Sequence, residues 1–176
     1  MIYISLKFIL NYYSKMLKKI FIILLFLTFS WQASWQAQAE ILEYPTLKVI
    51  DFNGKNFDIE DYQDKVILVL FWAQWCGYCQ KEMVELDKIY QLYKDKGLVV
   101  ITLSVDKPNN RQKAINFASK FSYPNAFFSD AKTNFSNRKN IVPLIQIIDR
   151  KKTKIYTITG YVDGSEIHKT LKEVLF

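Results

Sequence analysis

The feature that most constrains this chain is the run Val66-Ile67-Leu68-Val69-Leu70-Phe71, which leads through Trp72-Ala73-Gln74-Trp75 directly into Cys76-Gly77-Tyr78-Cys79. A short segment that is apolar at every position suits a central strand covered on both faces, and parallel pairing with a neighbour follows. After Cys76 the period changes. Cys79, Met83, Leu86, Tyr90 and Tyr93 recur at alternating steps of four and three, which predicts a helix with one inward stripe that stops at Lys96-Gly97. The two cysteines are the only ones among 176 residues. They exclude a disulfide-stapled scaffold and a four-cysteine zinc site within one chain, leaving redox chemistry or partial metal ligation.

The other elements read in the same way. Leu47 to Ile59 predicts a hairpin turning at Asn53-Gly54. Leu98 to Val105 reads as a second apolar strand, Arg111 to Lys120 as a helix, and Asn125 to Phe128 as a short extended piece. Leu144 to Ile148 and Ile155 to Ile158 read as an antiparallel pair, with Arg150, Lys151, Lys152 and Lys154 crowding the turn between them as a solvated hairpin tip. Ser165 to Phe176 is amphipathic through Ile167, Leu171, Val174 and Leu175. The order of elements predicts an α/β fold, a central mixed β-sheet flanked by helices with an N-terminal β-hairpin extension.

Residues 1–39 have the three-part pattern of a secretory signal: Lys18 and Lys19, the apolar run Ile20 to Phe29, and small residues at Ala37 and Ala39 that suit cleavage before Glu40. The run falls short of the roughly 20 residues that span a bilayer. An uncleaved anchor through residues 20–31 is the alternative, and Met16 is a second candidate start. Either reading places residues 40–176, one domain, in the periplasm or otherwise outside the cytoplasm, with the anchored form held at the inner membrane. Four of the 24 Lys and Arg residues precede position 40 and none of the 17 acids does, so the net charge of +7 falls to +3 without the leader. A weak, interspersed positive balance argues against nucleic-acid binding.

A thiol in the first turn of a helix lies beside unpaired N–H groups and the positive end of the macrodipole, which favour thiolate over thiol. Cys76 is therefore the candidate nucleophile. Cys79 lies on the same side of the helix and on the apolar stripe, shielded from outside attack, and is the candidate resolving thiol. Glu82 falls one turn beyond Cys79 beside that stripe, where burial would raise its pKa. A solvated helix acid pairing with Lys81 or Lys88 is the other reading. His168, the only histidine, reads as a boundary residue of the last helix.

Phe71-Trp72-Ala73-x-Trp75-Cys76-x-x-Cys79 resembles the active site of the thioredoxin superfamily. Within it the chain is most similar to the exported TlpA/ResA-like group, through the hairpin ending Asn53-Gly54-Lys55, the Lys65 to Phe71 strand, Glu82, Leu103-Ser104-Val105-Asp106, and the strand Val142-Pro143-Leu144-Ile145-Gln146-Ile147-Ile148-Asp149. The resemblance implies a thioredoxin-like fold, a cis Val142-Pro143 bond facing the cysteines, Trp75 as a rim residue at the substrate, and a glutamate at Glu82 that serves the pair. Gly77-Tyr78 replaces the Gly-Pro dipeptide of thioredoxin and occurs in exported disulfide isomerases. Leu70 stands where cytoplasmic thioredoxins carry a buried aspartate, and Leu144 where many relatives have Thr.

The function implied is a thiol-disulfide oxidoreductase that needs no organic cofactor and no metal. The resemblance favours a reductant of protein disulfides, for example in cytochrome c maturation, recharged by a membrane-embedded thiol-disulfide electron donor. The alternatives are a disulfide oxidase or isomerase of secreted proteins, and a Cu(I) metallochaperone using Cys76 and Cys79 as soft ligands.

Overall fold

The computed structural model describes residues 15–19, 44–135 and 141–176. Lys15–Lys19 are helical. The cleavage position and the anchor segment 20–31 lie outside the described residues, among which no helix is long and apolar enough to cross a membrane. The chain divides into Met1–Leu42 and Glu43–Phe176. In the second unit the elements are β1 (Leu47–Ile50), β2 (Asn56–Asp58), β3 (Val66–Trp72), α1 (Gly77–Tyr93), β4 (Leu98–Ser104), α2 (Arg111–Ala118), β5 (Asn125–Phe127), β6 (Lys132–Thr133), β7 (Leu144–Ile148), β8 (Ile155–Thr159) and α3 (Gly164–Leu175).

All of β3 is buried. It pairs parallel with β4 and antiparallel with β7, at the centre of a five-stranded mixed sheet of order β5-β4-β3-β7-β8. Its side chains alternate between two cores. Val66, Leu68, Leu70 and Trp72 join a cluster containing Met83, Leu86, Ala114, Ala118, Ile167 and Leu171 from all three helices. Ile67, Val69 and Phe71 join the opposite cluster, with Leu47, Val49, Phe57 and Ile59 from the hairpin region. Fully burying each such aliphatic or aromatic side chain contributes about 1.5–3 kcal/mol. The shared face of α1 and α2 follows from topology. The successive crossovers β3-α1-β4 and β4-α2-β5 step outward in one direction, and a common right hand puts both helices on one side.

The hairpin is not an isolated extension. β1 pairs antiparallel with β2 on one side and with the two-residue β6 on the other, forming a three-stranded sheet that covers the face the helices leave open. Its turn is closed by Asp51, whose Oδ1 accepts from Asn53 N at 2.9 Å and Lys55 N at 2.8 Å, while Gly54 takes φ +78°. β5 falls within the short extended piece expected at Asn125 to Phe128, whereas β6 goes beyond the sequence reading, because a two-residue strand carries no repeat to detect. The inward face of α1 also differs from the expected stripe. Ile89 and Glu82 are buried and Tyr90 is only half-buried. α3 packs on this face: a Cβ on its first residue, Gly164, would stand 3.6 Å from Ile89 Cδ1, an ordinary packing contact.

The basic turn between β7 and β8 is not simply a solvated tip. Arg150 donates from Nη1 to Asp64 O at 2.6 Å and from Nη2 to Lys96 O at 3.2 Å and Leu175 O at 3.1 Å, tying the entry to β3, the end of α1 and the C-terminus of α3. A planar guanidinium with several divergent donors can serve three carbonyls, which an ammonium on a flexible stem cannot do in the same geometry. Lys152 is only 4% exposed, and Lys151 remains in solvent. Two of the three carbonyl contacts are exposed, so water replaces part of what is lost on truncation. Arg150→Ala should therefore lower stability by about 1–2 kcal/mol in urea denaturation, with Arg150→Lys recovering less than half of the loss. Equal stability of Arg150→Ala and the unsubstituted protein would show that the clamp contributes nothing.

Candidate active site

β3 delivers the chain to the site, and backbone hydrogen bonds hold it there. Trp72 O accepts from Val105 N at 2.8 Å, and Cys76 N donates to Ala73 O at 3.0 Å. Cys76 is the N-cap of α1, with φ −89° and ψ 99°, and its Sγ accepts from Cys79 N at 3.1 Å. The sulfur thus occupies the place where a Ser or Asp oxygen would satisfy a free helix N–H. The two cysteines form a disulfide with Cα atoms 5.2 Å apart. Cys76 is 8% exposed and Cys79 wholly buried, so only the first sulfur faces outward.

Register brings in the remaining residues. Phe71 opposes Leu144 in the antiparallel β3–β7 pair, so Val142 and Pro143, just before β7, lie at the end of the sheet where β3 runs into the cysteine loop. The Val142-Pro143 bond is cis, Val142 is half-buried and Pro143 is buried. Trp75 and Tyr78 project into solvent at 63% and 61% exposure. His168 is placed elsewhere: its Nε2 lies 2.9 Å from the hydroxyl of Tyr93, the last residue of α1, at the opposite end of that helix from the cysteines.

Glu82 is fully buried on the inner face of α1, one turn beyond Cys79. Its Oε1 accepts from Val162 N at 3.3 Å, and Oε2 is buried without a hydrogen-bond partner. Among the described residues no ion pair offsets the burial, and Lys88 pairs with Glu85. Desolvation pushes the carboxyl up from 4.5 to about 7, and the Val162 hydrogen bond opposes the shift only in part. The buried acid therefore exchanges its proton near neutrality.

Two residues that hold the loop escape a reading of the sequence for reactive groups. Asp106 is 5% exposed, and its Oδ2 accepts from Gln74 N at 2.7 Å and Ser104 Oγ at 2.9 Å. Gln80 Nε2 donates to Gln74 O at 2.6 Å. Both peptide groups of Gln74, two positions before Cys76, are thereby fixed by side chains from other elements. Asp106 enters the sequence reading only as the end of Leu103-Ser104-Val105-Asp106 in the family resemblance, with no role attached, because a polar residue just after an apolar strand looks like any loop acid. The Val162 donor gives none, because a backbone N–H carries no side-chain information.

A buried carboxyl one turn from a disulfide that opens a helix, beside a cis-proline, defines a thiol-disulfide oxidoreductase on a thioredoxin-like fold. The chain belongs to the Redoxin family, whose model matches residues 41–174. Thiol-disulfide oxidoreductase ResA of Bacillus thuringiensis is 28% identical over 134 residues, covering 75% of this chain and 76% of the relative. ResA of Geobacillus kaustophilus is 26% identical, over 74% of this chain and 75% of the relative. Among solved structures, a thiol:disulfide interchange protein of the thioredoxin family from Chlorobium tepidum superposes with a TM-score of 0.61 at 17% identity, covering 75% of this chain and 94% of that one. The TlpA/ResA-like resemblance read from the motif agrees with these relatives.

The raised carboxyl pKa has a consequence for stability. The folded protein keeps the Glu82 proton between about pH 4.5 and pH 7 while the unfolded chain releases it. Proton binding then favours the folded state, so the stabilisation is full below the unfolded pKa and is lost as pH rises through the folded one. The oxidised protein should lose on the order of 3 kcal/mol across that window, and Glu82→Gln should flatten the curve. Denaturant midpoints at half-unit pH steps measure it. Equal slopes in both proteins would assign the titration to another group.

Proposed function

We propose that this chain is an exported reductant of protein disulfides, with Cys76 as attacking thiol, Cys79 as resolving thiol and Glu82 as proton acceptor. The observation that carries this reading is the asymmetry of the pair: Cys76 touches solvent at the helix N-terminus, and Cys79 is sealed beside a carboxyl that titrates near neutrality. In the reduced protein the Cys76 thiolate attacks a substrate disulfide. A Cys76–substrate S–S bond forms, the substrate bond breaks, and one substrate thiolate leaves. Cys79 gives its proton to Glu82 and attacks the Cys76 sulfur, releasing the second substrate thiolate. Two electrons pass to the substrate, and the protein ends with the Cys76–Cys79 disulfide. Helix-terminal N–H groups, among them Cys79 N on Cys76 Sγ, stabilise the attacking thiolate.

Trp75, Val142 and Pro143 are proposed to form the substrate-facing rim, which their placement around Cys76 and the family resemblance support. Residues 1–39 are proposed as a signal peptide, cleaved before Glu40 or retained as an anchor through 20–31, placing residues 40–176 in the periplasm or an equivalent compartment. Relatives named thiol-disulfide oxidoreductase support the exchange chemistry. The reducing direction, recharging by a membrane-embedded thiol-disulfide donor and cytochrome c maturation as the process served are proposed on the TlpA/ResA-like resemblance. An oxidase or isomerase would share the site and differ in potential. A Cu(I) chaperone is less well supported, because His168 lies against Tyr93 rather than beside the cysteines.

Cys79→Ser should accumulate mixed disulfides with partners on gels run without reductant, whereas Cys76→Ser should trap none; the reverse pattern would exchange the two roles. Glutathione equilibration should place the pair nearer about −270 mV than −120 mV, and a strongly oxidising value would move the assignment to an oxidase or isomerase. Resolution should accelerate as pH rises through about 7, where Glu82 becomes able to accept the proton, and Glu82→Gln should lose that limb. Mass spectrometry of the exported protein should find a terminus near Glu40.

A further inference from the structure

Beside the disulfide stands an aromatic and cationic surface that the exchange chemistry does not use. Tyr78, between the two cysteines, packs its ring on Tyr161 with centroids 5.3 Å apart and planes at 33°, yet the two side chains stay 61% and 43% exposed. Tyr161 belongs to a three-residue strap bound to the site on both sides: Gly160 N donates to Pro143 O at 2.9 Å, and Val162 N donates to Glu82 Oε1 at 3.3 Å. The backbone that carries Tyr161 is thus held beside the site. Lys81, one turn after Tyr78, sets its ammonium 5.7 Å from the Tyr78 ring centroid. Among the described residues it forms no ion pair, and Glu85, four residues on, is taken by Lys88 at 2.8 Å.

We propose that Tyr78, Tyr161 and Lys81 form a specificity surface that selects disulfides in polypeptide segments carrying an aromatic residue and an acidic residue beside the reactive cysteine. This rests on the thiol-disulfide exchange proposed above and deepens it by naming the substrate class. Two exposed rings packed on each other, one on the cysteine dipeptide and one on hydrogen-bonded backbone, offer a surface for an aromatic or apolar side chain at reduced entropic cost. An unpaired ammonium lying on one ring supplies the complementary charge for a carboxylate next to that side chain.

The test is single-turnover reduction of peptide disulfides by the prereduced full-length protein, the two electrons coming from the Cys76/Cys79 dithiol. Four peptides share one frame, with the disulfide flanked by Tyr or Gly on one side and by Glu or Lys on the other. Each rate is divided by that of a small uncharged dithiol on the same peptide, which removes intrinsic differences in disulfide reactivity. The protein should prefer the Glu peptide over the Lys peptide, and the Tyr peptide over the Gly peptide, by about fivefold each at low salt. Lys81→Glu should invert the charge preference and Lys81→Gln should abolish it. Lys151→Glu, at the opposite end of the sheet, should leave it unchanged. Tyr161→Ala should abolish the aromatic preference while keeping the charge preference.

Ratios near one in the unsubstituted protein would overturn the proposal, as would equal shifts from Lys81→Glu and Lys151→Glu, which would indicate only a long-range field. Full aromatic preference in Tyr161→Ala would remove Tyr161 from the surface. Failure of the prereduced protein to reduce even the Gly peptides would count against the exchange reading itself rather than against its specificity.

Discussion

The complete burial of β3 is the constraint on which the rest of the molecule depends. Seven consecutive residues out of water on both faces need a layer above and a layer below, and the two cores divide those residues by strict alternation. The helices supply one layer. Two crossovers of one hand stepping in one direction leave the other face bare, and the three-stranded sheet β2-β1-β6 closes it. The small sheet is therefore half of the enclosure that lets β3 be a central strand. Because β3 cannot shift register without turning a side chain from one core into the other, the position of Trp72, and with it the start of the cysteine loop, is set to within a residue.

That precision is transmitted to the sulfurs by polar contacts. Asp106 and Gln80 take the two peptide groups of Gln74, and Cys76 occupies the N-cap. A sulfur that already accepts Cys79 N meets a donor in place before any negative charge develops on it. Loop placement and the N–H that meets the Cys76 sulfur thus come from one geometry. The arrangement places a negative side chain, Asp106, near the loop with Oδ1 buried and unpartnered, a cost the fold carries to hold that backbone.

Glu82 carries a comparable cost. A wholly buried carboxyl with a single hydrogen bond, from a backbone N–H in the strap 160–162, is destabilised as an anion, and this moves its proton exchange into the neutral range. An apolar residue in its place would pack without that penalty. The same strap meets Pro143 through Gly160 and Tyr78 through Tyr161, so the acid, the cis-proline and the dipeptide between the cysteines share a support of three residues. Outside that support, Arg150 joins three carbonyls from distant parts of the chain, a structural use of a residue that composition alone assigns to solvent.

Much of this was legible in the residues. An all-apolar run, a change of period at Cys76, the Asn53-Gly54 turn and a late amphipathic helix specify the central strand, the helix that opens on the pair, the hairpin and the final helix, because each is a local pattern longer than a turn. Positions that depend on a neighbour were not legible. β6 is too short to show a period, and the burial of Ile89 in preference to Tyr90 accompanies the contact of α1 with Gly164 at the start of α3. For Glu82 the sequence leaves a solvated helix acid as the other reading, and it is the burial of the residue, with the strap's Val162 N on its carboxyl, that excludes it. By itself the sequence determined a redox pair at a helix start on a buried strand, since covalent spacing and hydrophobic period are properties of the chain. Only the tertiary structure decided which polar groups lost their water, because desolvation, the Arg150 clamp and the Tyr78–Tyr161 contact arise between segments far apart along the chain.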